Sequence, residues 1–221
     1  NGELSSMNGI QSLYFGGAED LTAGVQLYNR YGSNIFSIWV AFKNSETYIL
    51  TGDSPEDFKI KPISLNIGCP APLTVATAEI GYELAQDVNR NVVLWLSYSG
   101  PYLFDGGVMI PLKGLENYFD PGETECISYT NIAVSRAWYD SAYKEYNLLI
   151  PSGSTQSTCN KWFVYDLTRK KWFEKYPAAY PQSAWPVVST VGATYIYGML
   201  DTGYTMRLEN SAAWDSTDIT Q

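Results

Sequence analysis

Residues 92–111 read VVLWLSYSGPYLFDGGVMIP, three short apolar runs separated by two tight turns. Val92 to Tyr98 is β-branched and aromatic, Ser99-Gly100-Pro101 breaks it, Tyr102 to Phe104 returns, and Asp105-Gly106-Gly107 turns the chain into Val108 to Ile110. The pattern predicts one antiparallel meander. Side chains alternate across a strand, which puts Val92, Leu94 and Leu96 on one face and Val93 and Trp95 on the other. Apolar on both faces, such a strand belongs inside a packed protein.

The same pattern recurs on either side. Upstream, Ile35 to Phe42 is apolar, Lys43 to Glu46 is a turn, Thr47 to Thr51 returns, and Phe58 to Ile63 makes a third strand after Gly52-Asp53-Ser54-Pro55. Ser12 to Phe15, closed by Gly16-Gly17, is predicted to pair with Val25 to Tyr31. In Asn66 to Pro72 each proline lacks a ladder donor, so this stretch is a crossover between units. Thr74 to Leu84 favours strand. Downstream, Leu112 to Cys126 is an acidic loop, Asn131 to Tyr139 leads into Tyr143 to Ile150, and Pro151 to Asn160 is a polar loop. Lys161 to Leu167 pairs with Lys171 to Glu174, and Thr190 to Tyr197 with Tyr204 to Leu208.

Return strands beginning near Thr47, Tyr102, Trp162 and Tyr204 mark consecutive units of three or four strands. The expected class is all-β, with antiparallel meanders arranged as a β-propeller or partial propeller and a β-sandwich as the alternative. Residues 1–221 are read as a single propeller-like domain, part of a longer polypeptide or assembly, with open sheet edges at both termini.

Composition excludes several classes of function. An apolar share of 45% with 15% aromatic residues supports a real core and rules out a disordered chain. A net charge of −9 argues against a phosphate-binding surface, and the densest basic run, Arg169-Lys170-Lys171, reads as a solvated hairpin tip. Three cysteines, Cys69, Cys126 and Cys159, stand without a C-x-x-C pair and without any histidine, so no zinc site is expected. The odd count points to reduced, buried thiols, with one disulfide as the open alternative. No apolar run is long enough for a membrane-spanning helix.

Four stretches together carry a resemblance. They are Gly68-Cys69-Pro70-Ala71-Pro72, then Leu94-Trp95-Leu96-Ser97 followed by Gly100 to Gly106, then Tyr139-Asp140 with Tyr143 to Tyr146, and Val164-Tyr165-Asp166-Leu167 before Trp172. This combination resembles tailed-bacteriophage structural proteins, the propeller-bearing virion proteins of the neck and tail, including the tail nozzle (tail tubular protein B) and stabilisation-protein types. It covers roughly residues 35 to 210. The resemblance implies a virion component made in the bacterial host cytoplasm and present as a homo-oligomer. Its partners would be copies of itself and other tail or neck proteins, with passing, sequence-independent contact with DNA. An acidic wall repels phosphate and lets a duplex slide.

Chemistry is the thinner part of the reading. Paired carboxylates for glycoside hydrolysis could come from Asp105, Asp120, Glu123, Glu125, Asp140 and Asp166. Asp105 and Asp166 sit where an Asp bonds its own backbone, so turns are the expected role. Without histidine, Ser-His and Cys-His nucleophiles are excluded in their usual form. No catalysis, cofactor or metal is expected. The stretch Trp172 to Trp185, WFEKYPAAYPQSAW, is the candidate partner- or glycan-binding surface. Trp172 and Trp185 are expected to pack between units, and Tyr176 and Tyr180, beside prolines, to be exposed. The functional alternatives are a carbohydrate-binding propeller and a glycoside hydrolase.

Overall fold

A computed structural model describes residues 13–31, 34–79, 88–89, 91–200, 202–208, 213–214 and 217–218. Among them there is no α-helix, and antiparallel strands carry the fold. The first sheet has the order β4-β3-β2-β1-β6, from β1 (Ala23–Tyr31), β2 (Asn34–Phe42), β3 (Thr47–Thr51), β4 (Lys59–Ser64) and β6 (Val88–Asn89). The second, β5-β7-β8-β9, uses β5 (Ala76–Glu79), β7 (Asn91–Ser97), β8 (Gly100–Phe104) and β9 (Met109–Pro111). The third runs in chain order through β10 (Arg136–Asp140), β11 (Glu145–Ile150), β12 (Lys161–Asp166) and β13 (Lys171–Lys175). The fourth does the same through β14 (Ser183–Val188), β15 (Thr194–Met199) and β16 (Thr205–Arg207). A small hairpin, β17 (Ala213–Trp214) with β18 (Thr217–Asp218), follows.

The sheets stack face to face in chain order, and β7 explains why. All of Val92 to Ser97 is buried. On one face Val93 and Trp95 meet Leu27, Val40 and Phe42 of the first sheet. On the other, Val92, Leu94 and Leu96 meet Tyr146, Leu148, Ile150, Phe163 and Tyr165 of the third. The far face of the third sheet, Trp138, Leu149, Trp162 and Val164, packs on Ile196 and Leu208 beside the fourth. First strands lie together, β10 beside both β5 and β14. Among the described residues the four antiparallel sheets close no barrel, an arrangement consistent with a partial propeller or an all-β sandwich.

The crossover at Gly68–Pro72 is a buried node. Trp95 Nε1 donates to the Gly68 carbonyl at 3.1 Å, Cys69 N–H donates to the Lys43 carbonyl at 2.8 Å, and Thr74 Oγ1 receives the Leu96 N–H at 3.0 Å. Tyr146, fully buried, reaches across from the third sheet to the Thr74 carbonyl at 2.9 Å. Irregular backbone is tolerated inside the protein here because its polar groups find partners.

Two sequence expectations need correction. Leu13 to Phe15 forms no strand with β1; Ser12 lies outside the described residues. The neighbours of β1 are β2 and β6. The segment 13–20 instead lies across the first sheet as a strap, with Phe15 edge-on to Tyr48 and Gly16 pressed so close that a β-carbon there would fall 1.7 Å from the Tyr48 hydroxyl. The strap is held by Lys43, only 2% exposed, whose Nζ donates to the Gly17 carbonyl at 2.7 Å and lies 3.5 Å from Glu46. Ser45 adds bonds to the Glu19 carboxylate. A Lys43→Met variant keeps the volume and removes the charge, leaving the Gly17 carbonyl and the Glu46 carboxylate short of a donor. It is expected to cost about 2–3 kcal/mol and to speed proteolytic cleavage within 13–22 while the sheets stay protected.

The second correction is β14, which the sequence reading passed over. Pro186 sits in its middle, opposite Ile196. Because Ser189 N–H donates to the Ala193 carbonyl, the two-residue alternation turns the Pro186 nitrogen to the unpaired side of this edge strand, where no ladder donor is required. Most other expected pairs form within a residue or two of their sequence boundaries, with the first turn of the 92–111 meander at Tyr98-Ser99 and Pro101 inside β8, but β15 begins at Thr194 and not at Thr190, and Tyr129–Val134 is a 3-10 helix, so β10 begins only at Arg136. The outermost terminal residues, 1–12 and 219–221, lie outside the described residues, so the expected terminal edges are not described.

All three cysteines are free and buried. Burial pushes the Cys69 and Cys159 thiols up to about 12 from an ordinary 9.0, and the Tyr48 and Tyr129 phenols up to about 12 from 10.0. The fold thus favours the protonated forms. That stabilisation is complete below the unfolded values and is lost as pH rises through the folded ones. The melting temperature is expected to hold level near neutral pH and to fall steadily above about pH 9, and a thiol reagent at neutral pH should label the cysteines only after denaturant is added.

Candidate functional site

The aromatic stretch from Trp172 to Trp185 is divided between places that serve different ends. Trp172, on the edge strand β13, is half-buried against Phe163 and Tyr165, and its Nε1 donates to the Leu112 carbonyl at 3.3 Å. It packs between the second and third sheets. Tyr176 is 76% exposed, yet its hydroxyl is tied to Glu174 at 2.7 Å. Tyr180, expected to be exposed, is half-buried against the core between the third and fourth sheets, followed by the buried Pro181. Trp185, expected to pack between units, is 39% exposed on β14. The four residues therefore do not line one pocket.

Tyr176 belongs to a charged network at the end of β12 and β13. Lys161 Nζ lies 3.2 Å from both Glu125 and Glu174 and 5.6 Å above the Tyr118 ring. Burial opposes the Lys161 charge, but its bonds to the Glu125 and Glu174 carboxylates outweigh that and raise the ammonium above its ordinary range. The Glu174 bond raises the Tyr176 phenol in turn. Two carboxylates closing on one ammonium make an ion-pair network across the acidic loop and the third sheet.

The remaining acidic candidates serve turns. Asp105 accepts from the N–H groups of Gly107 and Val108, Asp120 from Gly122, Asp140 from Ala142, and Asp166 from Thr168 and Arg169. The Arg169 N–H and then its guanidinium, 2.9 Å away, hold the Asp166 carboxyl below its ordinary value. Glu123 lies exposed in the acidic loop. Among the described residues no three His, Cys, Asp or Glu side chains gather as a metal set.

What the fold does present is two sheet faces rich in aromatic residues and without a carboxylate, one on the first sheet and one on the fourth. On the first sheet the register places Gly24, Gln26 and Tyr28 beside Ser37, Trp39 and Ala41, then Tyr48 and Leu50, then Ile60 and Pro62. The row continues to Arg30, paired with Ile35 and Asn89, so the face holds one cation and no carboxylate. The strap covers the Tyr48 end, while Tyr28 and Trp39 are 49% and 44% exposed. Gly24 is needed here because the Trp39 indole lies over it, 2.7 Å from where a β-carbon would sit. On the fourth sheet, Trp185 pairs with Tyr197 and Tyr197 with Arg207, and Val187 pairs with Tyr195. The Arg207 guanidinium stacks 3.6 Å from the Tyr195 ring centre, and its Nε makes no hydrogen bond. Sequence reading found these strands, β14 excepted, but not their faces. The alternation of Tyr195 and Tyr197 around buried Ile196 was the available signal.

Fold and surface together define an all-β protein of consecutive meander sheets with aromatic, largely uncharged outer faces. A scan against models of protein families gives no match, and no curated protein matches the chain. Among the described residues no helix is long and apolar enough to cross a membrane.

Proposed function

We propose that this chain is a non-enzymatic structural component of a bacteriophage virion, at the tail or neck and nozzle-like, working through subunit interfaces around the DNA exit path. The observation that carries the reading is the outer face of the first sheet, whose register positions hold Arg30 as their one charge and no carboxylate in a protein of net charge −9. A face of that kind suits burial against another protein surface. The service of Asp105, Asp120, Asp140 and Asp166 in turns supports a role without catalysis, and the net acidity suits a wall along which a duplex slides. Partners are then copies of the chain and neighbouring tail or neck proteins, assembled in the host cytoplasm.

The test is to image the native assembly from which the chain is isolated and to measure its mass. Subunits arranged on an axis are expected, and a free monomer overturns the reading. Salt-dependent binding of duplex DNA by the isolated protein would overturn the sliding wall alone. A second reading, a carbohydrate-binding propeller, draws on Trp185 and Tyr197 beside the Arg207 guanidinium, an aromatic platform with hydrogen-bond donors. Binding on a glycan array that is lost in Trp185→Ala would favour it.

A further inference from the structure

We infer that the outer face of the fourth sheet binds a carboxylate-bearing sugar, the Arg207 guanidinium taking the carboxylate while Trp185 and Tyr197 take the sugar ring. Such a site rests on the carbohydrate reading above and adds the class of sugar to it.

Arg207 is set apart by what it lacks. Among the described residues the buried or half-buried cations are Lys43, Arg136, Lys161, Lys175 and Arg207. Lys43 donates to the Gly17 carbonyl, Arg136 to those of Ala133 and Ser135, Lys161 pairs with Glu125 and Glu174, and Lys175 with Glu145. Arg207 has no such oxygen among the described residues. Its guanidinium stacks on the Tyr195 ring, 3.6 Å from the centre, and its buried Nε makes no hydrogen bond. A donor withdrawn from water without an acceptor is costly, so the site gains when an anion supplies one. Stacking uses the face of the guanidinium and leaves its in-plane N–H edge to a carboxylate, whose two oxygens match that fork. The strands Ser183–Val188, Thr194–Met199 and Thr205–Arg207 hold no second cation, which suits a single negative charge and not a phosphate dianion. They also hold no carboxylate to repel it, in a protein of net charge −9.

The register supplies the rest of the site. Trp185, Tyr197 and Arg207 stand opposite one another in one row across the sheet, with Val187 and Tyr195 in the next. Buried Ile196 packs towards the third sheet, so Tyr195 and Tyr197 on either side of it face the other way. Trp185 is exposed, and the indole and phenol rings beside the guanidinium offer a flat apolar shelf to the C–H face of a sugar ring, with the cation at its end. An acidic side chain of a peptide would satisfy the arginine and leave that shelf bare.

The experiment titrates the full chain with oligogalacturonate, alginate oligosaccharides and sialyllactose, each beside the same sugar with its carboxyls reduced to alcohols. Calorimetry is expected to show binding of an acidic form that weakens as salt is raised, and at least about tenfold weaker binding of its reduced form. Arg207→Gln and Trp185→Ala, checked for folding by circular dichroism and thermal unfolding, should each lose at least about tenfold. Arg207→Lys should recover part of the loss, because an ammonium keeps the charge without the planar fork. The acidic and reduced sugars are compared on the parent chain, so the result does not depend on a variant folding. Equal binding of the two forms, or binding unchanged in Arg207→Gln, overturns the carboxylate and leaves the carbohydrate reading standing. Polyglutamate bound as tightly as the acidic sugar overturns the sugar in favour of an acidic peptide. A chain that binds neither form of any of these sugars overturns both.

Discussion

Gly68→Ala is expected to be among the most damaging single-methyl additions in the protein, costing about 3 kcal/mol or more. The reason is close approach of backbone, not a left-handed conformation. A β-carbon at Gly68 would fall 2.4 Å from the Lys43 carbonyl oxygen, 2.5 Å from the Glu46 nitrogen and 2.6 Å from the Asn44 carbonyl carbon. All three are main chain of one tight turn, so no side chain can swing aside. Relief requires the crossover to retreat from the first sheet, which breaks the Cys69-to-Lys43 bond and draws the Gly68 carbonyl from the Trp95 indole. Urea unfolding followed by tryptophan fluorescence should show a midpoint well below the parent's with the slope unchanged. A shift worth under 1 kcal/mol would mean that the turn at Lys43–Glu46 is not fixed as described.

Trp95→Ala carries the largest expected loss, about 4–5 kcal/mol, a large part of the roughly 5–15 kcal/mol that holds a domain together. Trp95 is fully buried, 5.0 Å from the Phe42 ring and 5.9 Å from that of Tyr102, at the centre of the core between the first and second sheets. Truncation leaves a cavity there and strands the Gly68 carbonyl. Trp95→Phe separates the two effects, because it keeps most of the ring contact and loses the hydrogen bond, and it should cost about 1–3 kcal/mol. Gly68 and Trp95 share that bond, so the double variant Gly68→Ala with Trp95→Ala should cost less than the two added together. Strict additivity would show that the crossover and the core are energetically separate.

Much of the architecture was legible because β7 is apolar on both faces: that property requires a layer on each side, and both layers are found. The crossover was legible from its prolines, and the hairpin tips from Asp105 and Asp166, whose carboxylates bond backbone two and three residues on. What escaped was decided by tertiary contact. Lys43 lies in a turn whose residues, Lys-Asn-Ser-Glu, look solvated, and only the strap folding over it makes it a buried charge. Ser183 to Val188 contains a proline and drew no strand prediction, although an edge strand has a side on which a missing N–H is harmless. The candidate surface was legible in part. Trp185 was singled out, but its partners Tyr197 and Arg207 come from strands of their own, and register, not local composition, brings them beside it. Tyr180 was misjudged because a proline neighbour suggested a loop tip, whereas the third and fourth sheets close over it.

Pro186 has a consequence for misfolding. A sheet edge can recruit any extended segment that offers matching amides, and chains that do so without limit precipitate as fibres. At the centre of β14 that recruitment fails, because an incoming strand would find a ring where it needs a hydrogen to accept. Replacing Pro186 with valine would leave the side-chain pattern of the fourth sheet intact and restore the amide. The folded protein would change little, but concentrated solutions should become turbid and bind amyloid dyes sooner than the parent does.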